Sequence, residues 1–352
     1  MIKEGIQRLV ERKNLTSEDS EQIMKEIMSG EATPAQISAF LTALRMKGET
    51  IEEIVSLILV MKQFATKIMP NVSSRILDIV GTGGDTIKTI NVSTTAALVA
   101  AGAGVTVAKH GNRSFTSKCG AADILERFGV NITAEPNLIK KSIETVGIGF
   151  LFAPIYHSSM KHVVVPRREI GVRTVFNILG PLTNPAGADA QLVGVYDSSL
   201  VEPLANVLVK LGLTEALVVH GVDGLDEIST IGTTSAAWLK EGEVKMNEFE
   251  PSDFGIEKAK PEDLIGNNVD GNAESIFKIL NSHSDGNARC RDLVLVNAAA
   301  GIIVGGFASS IMEGMNLARE SIESGAAYEK LKSMVNISEG DKSKLEDIES
   351  RF

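Results

Sequence analysis

The chain has 352 residues, a hydrophobic share of 43% and a formal net charge of −10. That length and apolar content support one large domain or two, and an acidic balance without a long basic run argues against a duplex-binding surface. Two distant cysteines, Cys119 and Cys290, exclude a disulfide framework or a Cys-x-x-Cys zinc site.

Residues 1 to about 70 read as helices only. Glu18-Asp19 lead a helix with Ile23, Ile27 and Met28 on one face, stopped by Gly30. Thr33-Pro34 caps and starts the next, with Ile37, Phe40, Leu41 and Leu44 along one side, and Gly48 ends it. Thr50-Ile51-Glu52-Glu53 opens a third helix that runs to Phe64. The polar stretch Pro70–Ser74 is the expected linker, so a helical domain of residues 1–71 and an α/β domain of residues 72–352 are expected. Met1–Gly5 lacks the layout of a signal peptide, and the apolar run Leu293–Ala308 is too short to span a bilayer and is broken by Asn297 and glycines. A cytoplasmic protein without a membrane partner is expected, with that run as a buried core helix.

From Ile76 the texture changes to strand–helix alternation. Ile76–Val80 has the β-branched content of a buried strand and breaks into Gly81-Thr82-Gly83-Gly84-Asp85, after which Asn91-Val92-Ser93-Thr94 opens an alanine-rich helix. Val105–Ala108 is a second strand, followed by a polar loop from Lys109 to Ser114. Helices follow at Ala121–Phe128 and from Glu135-Pro136. Further strands are expected at Ile148–Phe152, Gln191–Tyr196 and Ala216–His220, with shorter β pieces around Trp238 and Val244. The chain is helical from Ala273 on, and the charged stretch Glu339–Arg351 reads as a solvated helix or tail. Repeated units of this kind predict a mostly parallel sheet with helices on its faces and ligands at the carboxyl ends of the strands.

The glycine loop between strand and helix lets the main chain wrap an anion, with successive N–H groups and a helix start supplying positive potential. A bare strand-to-helix turn is the plainer alternative. Against it stand Asp85 closing the loop, Ser93 and Thr94 at the helix start, and Lys109 and Arg113 after the next strand. No phosphate-binding Gly-x-x-x-x-Gly-Lys-Ser/Thr occurs, and Gly102-x-Gly104 is followed by Val107 where a dinucleotide fingerprint needs glycine. A serine nucleophile elbow and a zinc helix are also absent. His110 taken alone reads as structural. Arg167, Arg168 and Arg173 are read as lying near a helix start, against the macrodipole, which hints at a grip on a carboxylate; surface pairing with Glu169 is the alternative. Gly180–Pro185 is a rigid turn. Asp226 and Glu227, on a loop after the strand Ala216–His220, could bind magnesium or simply be solvated acids.

Together GTGGD with NVST, KHGNRS, the block from His157 to Pro185 and HGVDGLDE resemble anthranilate phosphoribosyltransferases of the nucleoside phosphorylase-like class, over nearly the whole chain. The resemblance implies a small helical domain, joined in space by helices from about 165–186, hinged to a larger α/β domain. It also implies transfer of the phosphoribosyl group of phosphoribosyl pyrophosphate (PRPP) to the amine of anthranilate in tryptophan biosynthesis. For the donor it implies Gly81, Gly84, Asp85, Thr89, Asn91, Val92, Ser93, Thr94, the run Lys109, His110, Gly111, Asn112, Arg113, Ser114, Phe115, Thr116 and Ser117, which closes over the phosphates, and Ala121. For anthranilate it implies Gly81, Asn112 and Arg168, with His110, His157 and Pro181 along the entry path. Two magnesium ions are expected, one on Ser93 and one on Asp226 and Glu227, with no protein nucleophile or base. A homodimer through the helical domain is implied, and association with an anthranilate synthase subunit is not readable. Cys119 and Ala121 stand where the family often has serines, so a phosphate contact at Ala121 falls to main chain. A pyrimidine-nucleoside phosphorylase, which needs no metal pair, and a non-catalytic nucleotide- or nucleic-acid-binding paralogue are the alternatives.

Overall fold

The structure is a computed structural model and describes residues 1–84, 86–114, 119–282 and 288–352. The N-terminal layer is made of α1 (Ile2–Val10), α2 (Ser17–Ser29), α3 (Pro34–Lys47) and α4 (Ile51–Phe64). The last three begin alike. Thr16, Thr33 and Thr50 accept a hydrogen bond from the backbone N–H three residues on, and Asp19, Gln36 and Glu53 reach back to close the box. Gly30 ends α2 at φ 83°, which glycine adopts without strain. Glu53 is itself buried and also takes the Leu15 N–H and the Lys47 ammonium at 2.6 Å, so one carboxylate joins a cap to two other segments.

Seven strands form one sheet: β1 (Ile76–Gly81), β2 (Thr106–Gly111), β3 (Ile148–Phe152), β4 (Ala190–Gly194), β5 (Glu215–Gly221), β6 (Thr234–Lys240) and β7 (Glu243–Phe249), in the order β3-β2-β1-β4-β5-β6-β7. The first five run parallel; β6 and β7 are antiparallel, joined by Glu241-Gly242 at φ 53° and 82°, as a tight hairpin turn requires. The period of two along β5 sends Leu217 and Val219 to one face and Ala216 and Val218 to the other. The first face packs on α5 (Val92–Gly102) and on the buried helix Ala288–Val304. The second packs on the helix Val201–Lys210, whose Leu204 and Leu208 continue into the cluster of Ile37, Leu41 and Leu57 from the helical layer. Val163, Phe176 and Leu179 belong to that same cluster.

Three local expectations are corrected. β2 extends to Gly111, so Lys109 and His110 are strand residues, 3% and 4% exposed, and the loop begins at Asn112. The arginines do not open a helix. Lys161–Ile170 is one helix with Pro166 inside it, and Arg167 and Arg168 fill its last turn, where positive charge suits the dipole. The charged C-terminus is not wholly solvated: Leu345 and Ile348 of the helix Lys342–Glu349 are buried, and Arg351 pairs with Glu274. Among the described residues no helix is long and apolar enough to cross a membrane.

Candidate active site

The parallel strands β1, β4 and β5 all end on glycine, at Gly81, Gly194 and Gly221, and the chain leaves each on the same edge of the sheet. The loop after Gly81 is tied residue by residue. The Thr82 N–H donates to the Gly194 carbonyl (2.9 Å) and its hydroxyl accepts from the Tyr196 N–H (3.1 Å). The Gly83 N–H donates to Asp226 Oδ2 (2.7 Å), and Arg173 Nη2 donates to the Gly84 carbonyl (2.7 Å). Gly83 and Gly84 have φ 68° and 90°, the region that favours glycine. Close approach explains Gly194 as well: a Cβ there would lie 1.5 Å from the Asp226 carbonyl oxygen.

Beside this loop α5 begins without a side-chain cap. Asn91 precedes it, but its amide turns away to the Cys119 carbonyl (3.2 Å), and the Thr94 hydroxyl is buried without a partner among the described residues. First-turn N–H groups that lack a side-chain cap are open to water or to an anion. Ser93 sits in that turn, 3.3 Å from Lys109 Nζ, which also donates to the Ile79 carbonyl (2.7 Å). Burial lowers the Lys109 ammonium from its ordinary value, while the charges of Asp78 and Glu227 support it. Thr89 is half-buried, pairs with Ile265 in an isolated bridge and donates its hydroxyl to the Ile90 carbonyl. Val92 is buried.

Asp78 lies inside β1 with no exposure. Its oxygens take the His110 N–H (3.1 Å) and the Asn184 amide (2.8 Å), and Asn184 also donates to the Ala108 carbonyl (2.7 Å). The turn Gly180–Pro185 is thus pinned to the middle of β1 and β2. Burial pushes the Asp78 carboxyl up to about 6 against the pull of Lys109, Asn184 and the His110 N–H. His110 and His157 stand with ring centroids 5.2 Å apart, hydrogen-bonded to the backbone of Gly180 and Thr183, and the Nε2 of each is buried and unpartnered among the described residues. Burial lowers His110 to about 3, helped by the neighbouring His157, and lowers His157 to about 4. Both rings are therefore neutral acceptors near pH 7. Pro181, in the turn between Gly180 and Thr183, is buried and its carbonyl accepts from Gln191 (3.3 Å).

The structure thus brings Gly81, Gly84, Thr89, Asn91, Val92, Ser93, Thr94, Lys109, Asp226 and Glu227 to one strand edge, with His110, Gly111, His157 and Pro181 adjoining. Asn112 and Arg113 begin the following loop and are exposed. Arg113 does not turn to the glycine loop: its guanidinium pairs with Asp123 and Glu126 at 2.8 Å each, and these acids, Glu126 first, raise its pKa. The Ser114 N–H also goes to Asp123, and Ala121 opens the helix Ala121–Arg127. Asp85, Phe115, Thr116 and Ser117 lie outside the described residues. Arg168 is exposed, with no hydrogen bond or ion pair among the described residues, whereas Arg167 is half-buried, stacked on Phe176 (5.5 Å) and 3.5 Å from Asn177. Asp78 and Asn184 are site residues that the sequence reading passed over, while Thr82 and Arg173 were read only as parts of the glycine loop and of the arginine cluster. Asp78 alone carried a local signal, an acid inside a β-branched strand run.

Among the described residues no three His, Cys, Asp or Glu side chains converge on a metal position. Asp226, Glu227 and Ser93 supply two carboxylates and a hydroxyl, oxygen donors of the kind that magnesium takes alongside water.

Two family models match the chain: a glycosyl transferase family helical bundle domain over residues 3–65 and a glycosyl transferase family a/b domain over residues 73–328. The chain is 51% identical to an anthranilate phosphoribosyltransferase of Acetivibrio thermocellus, over 95% of this chain and 96% of the relative. Among solved structures it is similar to the anthranilate phosphoribosyltransferase of Thermus thermophilus, with a TM-score of 0.89 and 39% identity over 95% of this chain and 99% of that one. It is also similar to the Saccharomyces cerevisiae enzyme in complex with PRPP and Mg, with a TM-score of 0.87 and 30% identity over 96% of this chain and 98% of that one.

Proposed function

The chain belongs to the anthranilate phosphoribosyltransferase family, and on that premise we propose how its residues carry out the transfer. The donor is PRPP, the acceptor is the amine of anthranilate, and the products are N-(5-phosphoribosyl)anthranilate and pyrophosphate, in tryptophan biosynthesis. The observation that carries the assignment of residues is the convergence of the glycine loop, the uncapped start of α5 and Asp226 on one strand edge.

The first turn of α5 and the end of the glycine loop, beyond the Thr82 and Gly83 N–H groups already bonded to Gly194 and Asp226, hold the pyrophosphate and ribose through backbone N–H groups. Anionic charge that grows on the leaving group then meets donors already oriented for it. Lys109, buried and fixed between Ile79 and Ser93, adds positive charge behind that turn. Magnesium fits the oxygen set, with one ion proposed on Ser93 and a second on Asp226 and Glu227; when bound, it neutralises donor charge. A nucleoside phosphorylase would leave those two acids without a role.

Anthranilate is placed at the far wall, beside His110, His157 and Pro181. The neutral Nε2 atoms of the two histidines can accept from its N–H groups, which orients the lone pair without a general base. Arg167 rather than Arg168 is the guanidinium proposed for its carboxylate, because burial and Phe176 fix Arg167 while Arg168 is exposed to solvent. Asn112 and the loop after it are proposed to cover the bound substrates. The working division remains residues 1–71, with 165–186 in space, against 72–352. A homodimer is proposed through the helical layer, where Val10, Leu59, Val164 and Val165 are exposed.

Steady-state kinetics with Arg167→Ala and Arg168→Ala test the acceptor assignment. Arg167→Ala should raise the anthranilate KM about tenfold or more, the loss of one charged hydrogen-bonding partner, and Arg168→Ala should leave it near wild type. The reverse pattern returns the role to Arg168.

A further inference from the structure

Resting on the donor assignment above, we propose that Arg173 is a positioning residue that sets the glycine loop for donor binding by holding the Gly84 carbonyl. Its Nη2 lies 2.7 Å from that oxygen, and its guanidinium lies over the Tyr196 ring, 4.0 Å from the ring centre. The same Tyr196 gives its backbone N–H to Thr82 at the other end of the loop. One short segment after β4 thus anchors Thr82 directly and carries the ring that seats the cation anchoring Gly84.

The space around Gly84 is shaped to this contact. Its φ is 90°, and a Cβ built there would lie 2.3 Å from Arg173 Nη2. The guanidinium occupies what would be side-chain volume, so Gly84 and Arg173 specify each other.

The anchor also has a particular origin. Gly83 is held by Asp226 and Thr82 by the β4 exit, both at the edge of the sheet. Arg173 instead follows the helix Lys161–Ile170, which packs on α2 and α3, and is seated by the adjoining turn in which the Thr174 N–H donates to Asn177 (3.0 Å). The end of the donor loop is therefore fixed from the helical layer, and a shift of that layer reaches the loop through one side chain.

A stabilising role accounts for the contact poorly. Arg173 is exposed and has no ion pair among the described residues, so its removal costs the fold little. Its charge bears on one main-chain carbonyl of the donor loop, where loop geometry decides which N–H groups meet an anion.

The test uses the full-length protein and the variants Arg173→Met, Arg173→Lys and Tyr196→Leu. Donor and anthranilate KM values are measured separately, with thermal midpoints and calorimetric binding of PRPP with magnesium. Arg173→Met should raise the donor KM and the calorimetric Kd about tenfold or more, as expected for a charged hydrogen bond, with the anthranilate KM and the midpoint unchanged. Arg173→Lys should recover part of the loss, and Tyr196→Leu should shift the donor KM in the same direction by less. A donor KM and Kd for Arg173→Met within about twofold of wild type, far short of a charged hydrogen bond, would overturn the proposal. So would both KM values rising together with a lowered midpoint, which is the mark of a structural role. If the wild-type protein binds PRPP but consumes no anthranilate, the functional reading fails while the calorimetric comparison still decides the role of Arg173.

Discussion

Replacing Asp78 by asparagine removes one charge and changes no heavy-atom count in the side chain, so it isolates the polar knot beneath the site. In the native knot both oxygens accept, one from the His110 N–H at 3.1 Å and one from the Asn184 amide at 2.8 Å, with no solvent access. Asparagine offers one acceptor and one NH2, so one of those donors must face another donor. A buried donor left unsatisfied costs about 1–3 kcal/mol, and the surviving hydrogen bond loses its charge assistance, about 1 kcal/mol more. Lys109 also loses a supporting negative charge. Relief of the desolvated charge, whose cost shows in the carboxyl raised to about 6, offsets part of this, so the expected loss is about 1–2 kcal/mol of unfolding free energy near pH 7. Urea titration followed by the fluorescence of the single tryptophan, Trp238, reads it directly. Stability of Asp78→Asn within about 0.5 kcal/mol of wild type, the scatter of neutral surface changes, would refute the reasoning.

Gly194→Ala places a methyl 1.5 Å from the Asp226 carbonyl oxygen, a backbone atom that cannot step aside. Overpacking of this kind costs about 1–3 kcal/mol, and magnesium-dependent PRPP binding, read by calorimetry, should fall by more than the thermal midpoint suggests. Acid should weaken the fold through the imidazole pair. The folded protein holds His110 near 3 and His157 near 4, below the ordinary 6.5, so the unfolded chain takes up protons that the folded one refuses. Stability is full above about 6.5 and falls as pH drops toward about 4, by up to about 1.4 kcal/mol per pH unit for each histidine. Asp78 acts in the opposite sense: raised from 3.8 to about 6, it adds stability below 3.8 that is lost as pH rises through 6. Urea titrations of His157→Asn across this range should show a shallower acid limb; an unchanged limb would exclude the pair as its source.

The parts of the fold legible in the sequence were those with a local cause. The acidic first turn at 18–19, the threonine caps at 33 and 50, the β-branched run at 76–80, the apolar run at 148–152 and the glycine at 30 each act within a few residues. Lys109 and His110 read as loop residues in the sequence because polar residues seldom occupy a buried strand. They do so here because Ile79, Ser93 and Asp78, all distant in sequence, receive their donors. Pro166 disguised a helix interior as a helix start, which reversed the electrostatic argument about Arg167 and Arg168. The ties that shape the site span still longer separations, from Gly83 to Asp226 and from Gly84 to Arg173. No local pattern encodes such pairs, since they depend on strand order and on which loops share an edge.

Anthranilate fluorescence, followed in the presence of PRPP and magnesium, tests the central claim most directly. The account predicts a decay that requires all three components, releases one pyrophosphate for each anthranilate consumed and stops when magnesium is chelated. Undiminished fluorescence from folded protein that binds PRPP with magnesium would contradict it.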